Sequence, residues 1–425
     1  MAIPPSTKTP KASSLVKEPI SKSSFYSGAS EKRLCDRIHQ SQPGYIKTAV
    51  MGITGFILAL VAWEGILRLA VESSQGAFEH PALGKIEKAG AKVHTREGFS
   101  RLRLNSLGMR AAEPQPKVAG EYRILLLGDS YTRADEVSDG LNFSDRLQAL
   151  FDQSPQIPNR PKVSVINAGK PGASPASYLY AANFHNQTFA PDSTVIQLTD
   201  HDFTMDMNNP ISEFYAERTG DDQSFVVRRN QAFGSSDPLA QAIAKHAPAF
   251  QPLTQLSVLR VGGRNLHAML SPAAKESAEA TPIGTDAEAA AELAIEAEDA
   301  ALASWTVKAL KQEFDNVVLV FIPSMSYQDA GKTSSVPRNA ALESALAAAA
   351  AEAGLPFLNM RTDFLAHYRT EGTSVRGFSN TVPGQGHLNP TGHRLVAQRL
   401  AAYYRQSGLL AFDRSASENL ARETK

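Results

Sequence analysis

The chain of 425 residues carries 43 basic and 43 acidic side chains, so its formal net charge is zero and its totals lack the basic excess of a nucleic-acid-binding protein. Its single cysteine, Cys35, excludes an internal disulfide framework and a cysteine-based metal cluster. The apolar content is ordinary, and the length is sufficient for a substantial core in one large domain or in several.

An apolar segment near the amino terminus, residues 46–72, predicts a transmembrane anchor. From Thr48 to Trp63 it carries no charged side chain, and only Glu64 and Arg68 interrupt its continuation. These two charges are four residues apart on one helical face, where they can pair or reach the lipid headgroups. A bilayer takes about 20 apolar residues to cross, so the length fits a spanning helix. A buried core helix is the alternative.

The residues before this segment, 1–45, predict a disordered tail, because they are rich in Ser, Pro and Lys and carry few large apolar groups. Their basic side chains outnumber their acidic ones, which predicts a cytoplasmic amino terminus and places everything after the anchor outside. A cleaved signal peptide is disfavoured, since the polar lead-in is long and no small-x-small cleavage site closes the apolar run.

Five short apolar runs predict the strands of a mainly parallel sheet. They are residues 123–127, 163–166, 194–198, 317–322 and 356–360. Helical patterns separate most of them, including 143–151 and 287–314. Strands that alternate with helices favour an α/β fold with three layers, α/β/α, in which the sheet is covered on both faces.

The same alternation suggests the domain boundaries. Residues 73–120 are mixed and glycine-punctuated, so we expect an approach segment before a domain at 121–410, with a carboxyl-terminal tail at 411–425. Between 203 and 285 the alternation breaks and predicts an insertion with a helical piece at 253–270. Such insertions often cover a site at the sheet's carboxyl end, although a structural filler is equally compatible.

The first strand runs into a Gly-Asp-Ser triplet that ends on Ser130, at the edge where open α/β sheets place their chemistry. A serine hydroxyl becomes nucleophilic when an imidazole lies within hydrogen-bond reach. His387 lies just before a helix that Asn389 and Pro390 are suited to begin, as N-cap and first-turn residues. The pattern predicts Ser130 as nucleophile and His387 as general base.

These motifs, in this order, resemble those of the SGNH/GDSL hydrolase superfamily over roughly residues 100–405. The segments that carry the resemblance are Asn105-Ser-Leu-Gly-Met-Arg110, Gly128-Asp129-Ser130, Asn167-Ala-Gly-Lys-Pro-Gly172 and Gly384-Gln-Gly-His-Leu-Asn-Pro-Thr-Gly-His393. The first of them resembles a stretch found in membrane-anchored, bacterial branches. The resemblance implies a five-stranded α/β/α domain, Ser130 and His387 in the roles above, and the backbone N–H of Gly172 as oxyanion donor, with Asp129 in support.

One departure from the family pattern concerns the oxyanion. His201 stands where the family has an asparagine, and a ring N–H can supply a comparable donor. Together with Asp200, Asp202 and Asp206, His201 also offers metal-ligand types. The spacing of these four residues lacks a fixed ligand geometry, so a metal site is the weaker interpretation.

The other departure concerns the acid that orients the base. The family usually places an Asp two or three residues before the histidine, and here those positions are Gln385 and Gly384. Gln385 or a backbone carbonyl could hold the imidazole N–H, with Asp363 as a further substitute. A neutral acceptor stabilises an imidazolium less than a carboxylate does. The sequence therefore leaves the orienting acid without a candidate in its expected place.

The resemblance implies a serine esterase or acyltransferase that acts on O-acyl esters, foremost O-acetyl esters of cell-surface polysaccharide, without a metal or organic cofactor. The expected partners are an acylated glycan and the lipid bilayer, with no nucleic acid, and the oligomeric state is open. The expected location is the bacterial inner membrane, with the domain in the periplasm or outside the cell. A catalytically inactive glycan-binding or assembly protein and a lipase or thioesterase are the alternatives.

Overall fold

The computed structural model describes residues 29–66, 76–153, 162–203, 207, 212–220, 224–230, 233, 286–328, 332–334, 337–381 and 383–409. Contacts divide the chain into two units, residues 1–62 and 63–425, which are taken separately. The predicted helical piece at 253–270 and the tail at 411–425 lie outside the described residues.

The elements are, in chain order, α1 Ala29–Ile66, β1 Ala77–His80, β2 Gly84–Glu87, β3 Gly90–His94, β4 Ser100–Leu104, β5 Glu121–Leu127, α2 Ser130–Arg133, α3 Phe143–Asp152, β6 Lys162–Asn167, α4 Pro175–Tyr180, α5 Ala182–Phe189, β7 Ser193–Leu198, β8 Phe214–Thr219, β9 Ser224–Arg229, α6 Asp286–Glu313, β10 Val317–Phe321, β11 Ser326–Gln328, β12 Lys332–Ser334, α7 Pro337–Ala353, β13 Phe357–Asn359, α8 Arg361–Glu371 and α9 Pro390–Gln406.

The long helix α1 contains the apolar stretch Gly44–Ile66, which is long and apolar enough to cross a membrane. The large apolar side chains of the stretch Gly44–Ile66 are exposed, Met51 and Phe56 among them. The helix begins at Ala29, inside the segment expected to be a disordered tail, where Glu, Lys, Arg and Leu supply high helix propensity. Length and composition thus fit the predicted anchor.

The centre of the second unit is a five-stranded sheet in the order β13-β10-β7-β5-β6. Every neighbouring pair in it is parallel. All five strands fall on the apolar runs predicted from the sequence. Since β5 lies between β7 and β6, it is an interior strand, and the turn that follows it opens at the sheet's carboxyl edge between two neighbouring strands.

Helices cover both faces of this sheet, so the predicted three-layer α/β/α architecture is confirmed. Leu125 and Leu127 of β5 face a core with α4 to α7, whereas Ile124 and Leu126 face a second core with α3, α8 and α9. Successive strand residues point to opposite faces, which is why one continuous apolar run serves two layers. Burial of each such side chain stabilises the fold by about 1.5–3 kcal/mol.

Residues 77–104, within the segment expected to lead up to the domain, form two antiparallel hairpins, β1–β2 and β3–β4. Leu102 and Leu104 of β4 are buried, in alternation with exposed Arg101 and Arg103. Glu87 at the end of β2 forms an ion pair with the buried Arg133 of α2. The hairpins therefore contact the turn after β5.

The described part of the predicted insertion contains one antiparallel hairpin, β8–β9. Glu213, just before it, accepts hydrogen bonds from the backbone of Lys85 at 2.6 Å and from Lys170 Nζ at 2.6 Å. Lys170 belongs to the loop after β6. Glu213 thus joins the insertion hairpin, β2 and that loop.

Candidate active site

The turn after β5 presents Ser130 at the start of the short helix α2. Asp129 is the N-cap of this helix, and its side chain accepts a hydrogen bond from Tyr131 N at 2.8 Å. A Cβ on Gly128 would lie 1.9 Å from Thr132 Oγ1 and 2.6 Å from Gln197 Oε1, so only glycine allows this turn. The predicted support from Asp129 takes the form of this cap.

His387 reaches the same point from the loop before α9. Asn389 caps α9 by accepting hydrogen bonds from Thr391 N and Gly392 N, as the sequence predicted. Arg376 donates to the carbonyl oxygen of Gly386 at 3.1 Å and holds the loop. His387 Nε2 lies 2.8 Å from Ser130 Oγ. The structure thus brings the predicted nucleophile and base into hydrogen-bond contact.

The other ring nitrogen of His387 faces Glu97, in the turn between β3 and β4. His387 Nδ1 lies 2.5 Å from Glu97 Oε2, and the backbone N–H of His387 donates to Glu97 Oε1 at 2.6 Å. Asn380 fixes this turn, because its Oδ1 accepts from Gly98 N at 2.8 Å. Glu97 is therefore in hydrogen-bond contact with both the ring and the backbone of His387.

The structure places Glu97, and not Gln385 or Asp363, in the position of the acid that orients His387. Gln385, predicted from the sequence for this role, is exposed, and Asp363 lies in α8 with its carboxylate 3.9 Å from Arg399. Neither is needed at Nδ1, because the Glu97 carboxylate occupies that side of the ring. Sequence reasoning missed Glu97 because it lies in a separate hairpin, outside every motif.

A signal for this acid was present in the His387 loop itself. Gly386 has a φ of +75°, and a Cβ there would lie 2.0 Å from Glu97 Oε1. A glycine at this position leaves room beside His387 for a carboxylate from elsewhere in the chain. The missing family Asp and this glycine together indicate an acid supplied by another segment.

The pKa values of this pair follow from their contact. Burial disfavours the charged forms of both groups, but the hydrogen bonds and charges that they share outweigh it. The pKa of His387 is therefore raised, and the pKa of Glu97 is lowered. An ionised Glu97 requires a proton on Nδ1, which leaves Nε2 free to accept the Ser130 proton.

Glu136 adds a second carboxyl group on the same side of the ring. Its Oε1 lies 3.4 Å from His387 Nδ1, and 5% of its side chain is exposed. Burial raises the pKa of Glu136 to about 7; the charge of His387 opposes this rise, while Asp135 and Glu97 reinforce it. Ligand-type atoms of Glu97, Glu136 and His387 lie within 4.8 Å of one another, but His387 Nδ1 and Glu97 Oε2, at 2.5 Å, are closer together than two ligands of one ion, so this contact is a hydrogen bond that shares a proton.

The predicted oxyanion glycine, Gly172, lines the same cavity as Ser130 and His387. Its φ is +71°, and no atom lies within 4 Å of the place where a Cβ would stand. Its loop is tied to the nucleophile turn, because Lys170 N donates to the carbonyl oxygen of Gly128 at 2.9 Å. The loop therefore borders the nucleophile turn, and Gly172 lines the cavity with open space around it.

His201, the other predicted oxyanion donor, is exposed and is not part of the lining of this cavity. The neighbouring acidic side chains accept hydrogen bonds from backbone N–H groups. Asp200 Oδ1 accepts from Ser324 N at 3.1 Å, and Asp202 Oδ2 accepts from Thr199 N at 2.6 Å. Asp206 lies outside the described residues. These contacts give the weaker metal interpretation no support.

The cavity above Ser130 has a volume of about 870 Å³. One part of its wall is apolar and comes from the hairpins and the loops beside them, with Leu83, Ile86, Leu107 and Met109. Another part carries charge, including the exposed Lys85 and Arg96. Such a volume is in the range of sites that enclose a whole small molecule.

Gly386→Ala is expected to lower kcat/KM for an ester about 100-fold. The new methyl group would collide with Glu97 Oε1 and strain a backbone with positive φ, and a displacement of about 1 Å at a reacting group can cost this factor. Steady-state kinetics together with thermal unfolding test it.

Gly372→Ala is the matched control. Gly372 has a φ of +67° at the C-cap of α8, with no atom within 4 Å of its Cβ position. It carries the same backbone strain without the collision. Equal activity losses in both variants would contradict the role given to the Glu97 contact.

A search with family models found no match to this sequence, and a search of curated proteins found none either. Among solved structures, the acetyl xylan esterase AlAXEase is 15% identical with a TM-score of 0.32, covering 66% of this chain and 98% of its own. A lipase/acylhydrolase from Enterococcus faecalis is 15% identical, with 67% and 95% covered and a TM-score of 0.32. A two-domain esterase active on acetylated mannans is 13% identical, with 68% and 50% covered and a TM-score of 0.34. Identities and scores at this level carry no conclusion about the activity of this chain.

Proposed function

We propose that this chain is a serine esterase or O-acyltransferase that uses Ser130 as nucleophile, His387 as general base and Glu97 as the acid that orients the base. The observation that carries the proposal is the unbroken contact from Glu97 Oε2 through the His387 ring to Ser130 Oγ, at 2.5 Å and 2.8 Å. Nucleophile, base and a third group that orients the base are the arrangement that activates a serine hydroxyl.

In the proposed reaction His387 Nε2 takes the proton of Ser130, and Ser130 Oγ attacks the acyl carbonyl carbon. The backbone N–H groups of Ser130 and Gly172 stabilise the resulting oxyanion. His387 then gives its proton to the leaving alkoxide, and the acyl group remains on Ser130. Water or a sugar hydroxyl attacks this ester next and gives its proton to His387. His387 returns that proton to Ser130 Oγ as the bond between Ser130 and the acyl group breaks, which releases the acid or the transferred ester and restores the enzyme.

The proposed substrate is an O-acyl ester, foremost an O-acetyl ester of a cell-surface polysaccharide. Support comes from the motif resemblance and from a cavity that is large and partly polar. The test incubates the full chain in detergent with acetylated polysaccharide and with a short chromogenic acetate ester, and the control is the same protein inactivated by a fluorophosphonate. Release of acetate by the active protein and not by the control would support the proposal. An intact protein that turns over none of these esters would overturn it and leave the glycan-binding alternative.

Esters of longer acyl chains are the second candidate, favoured by the apolar wall of Leu83, Ile86, Leu107 and Met109. A series of chromogenic esters with increasing chain length separates the two. A rise of kcat/KM with chain length would favour a lipase or thioesterase, and a maximum at acetate would favour deacetylation or acetyl transfer.

The proposed location is a bacterial inner membrane, with α1 as anchor, the amino terminus in the cytoplasm and the sheet domain outside. A reporter enzyme that is active only after export is expected to be active when fused after Glu72 and inactive when fused at the amino terminus. The apolar length of Gly44–Ile66 and the basic residues before it motivate this expectation. Cytoplasmic activity of the fusion after Glu72 would contradict the topology.

A further inference from the structure

The second carboxyl group behind His387, that of Glu136, has no role in the three-residue arrangement. Glu136 follows α2 after Ala134, which has a φ of 56° and turns the chain back toward the hairpins. The turn of Glu97 packs on it closely, because a Cβ on Gly98 would lie 2.6 Å from the carbonyl oxygen of Glu136. Its carboxyl is thereby enclosed between the nucleophile helix, the β3–β4 turn and the His387 loop.

The charges around Glu136 leave the imidazole as its counter-ion. Its neighbour Asp135 already has ion pairs with Lys92 at 2.6 Å and with Arg133 at 3.0 Å. Glu97 is acidic and is engaged with His387. Oε1 of Glu136 lies within ion-pair distance of Nδ1, and its buried Oε2 has no hydrogen-bond partner among the residues that the structure describes.

We propose that Glu136 is a second, titrating acid behind the base, which stabilises the His387 imidazolium from the Nδ1 side when Ser130 gives up its proton. This inference rests on the proposed function. A buried carboxyl without a fixed cation can exist in either protonation state, and a positive charge that forms 3.4 Å away favours its ionised state. Glu97 fixes the tautomer, and Glu136 responds to the charge that forms.

The pH dependence of this effect has a definite sign. The pKa of Glu136 is raised to about 7, so Glu136 is neutral well below this pH and ionised well above it. In acid it therefore adds little to the imidazolium of the transition state, and in base it adds its full charge. The two groups interact, so the observed midpoints belong to the pair.

The test is the pH profile of kcat/KM for wild type and Glu136→Gln in the full chain. We expect the wild type to be about tenfold faster at pH 9 and the difference to vanish near pH 5, because an opposite charge at this distance changes a pKa by about 1 unit or more. We also expect the acid limb of the pH profile of kcat/KM to lie at lower pH in Glu136→Gln than in the wild type. Glu136→Asp should restore part of the difference.

A constant ratio at every pH would overturn the inference, because loss of packing alone acts equally in acid and base. If Glu136→Gln does not fold, a second measurement replaces the pH profile: the NMR titration of the His387 ring protons in Ser130→Ala and in Ser130→Ala/Glu136→Asp. We expect a lower titration midpoint for His387 in the Glu136→Asp variant, because the shorter aspartate side chain places its charge farther from the ring. An unchanged midpoint would overturn the inference. A wild type that neither turns over esters nor reacts with a fluorophosphonate would overturn the proposed function as well.

Discussion

Replacement of Glu97 by glutamine is expected to lower kcat for ester turnover by about 10³ to 10⁴-fold without unfolding the protein. An amide at this position can donate to Nδ1 and so favour the tautomer with its proton on Nε2, which cannot accept the Ser130 proton. It also removes the negative charge that stabilises the imidazolium. The equivalent change in a Ser-His-Asp triad costs about 10⁴ in kcat.

The measurement is kcat at the pH optimum, together with the acid limb of the pH profile. The contacts with Glu97 raise the pKa of His387, so the limb should move to lower pH when the charge is lost. Gln385→Ala is the control, since Gln385 is exposed in the adjacent loop and should retain nearly full activity. Full activity of Glu97→Gln, or a larger loss in Gln385→Ala, would contradict the assignment.

Ser130→Ala is expected to abolish turnover, with a loss of about 10⁵ to 10⁶-fold in kcat, because it removes the hydroxyl group that contacts the base at His387 Nε2. Residues that act as one unit have non-additive effects. The double variant Ser130→Ala/Glu97→Gln should therefore be no slower than Ser130→Ala alone.

The measurement is kcat of both variants with a chromogenic ester, after any contaminating esterase has been removed. Thermal unfolding controls for folding, and Ser130→Ala should unfold near the wild-type temperature, since it removes a single hydroxyl group that is partly exposed. Turnover by Ser130→Ala within tenfold of the wild type would exclude Ser130 as nucleophile. Additive losses in the double variant would show that Ser130 and Glu97 act independently.

The sheet could be predicted because its physical signal is local. Each strand of the sheet is buried on both faces, so it reads as a short continuous apolar run, and all five runs were identified. The turn at Ser130 and the N-cap Asn389 are local features as well, and both lie where they were predicted. The contact between Ser130 and His387 followed from their places at the carboxyl edge of the sheet and in the loop before α9.

The orienting acid could not be predicted in the same way. A single glutamate in a turn has no periodic pattern, and its contact with His387 spans 290 positions of the chain. It depends on how the β3–β4 hairpin packs against the turn after β5. The exposed position of His201 could not be predicted from the sequence motif either. The chain after β7 continues as a helical turn, and this turn leaves the His201 side chain exposed.

The measurement that tests the central claim most directly is the rate at which a fluorophosphonate labels Ser130, compared between wild type and Glu97→Gln, with the labelled peptide identified by mass spectrometry. The reagent reacts with an activated serine without any need for the natural acyl ester. We predict labelling at Ser130 alone and a rate at least about 100-fold lower in the variant. Labelling of a different residue, or equal rates in the two proteins, would contradict the contact of Glu97, His387 and Ser130 as the source of reactivity.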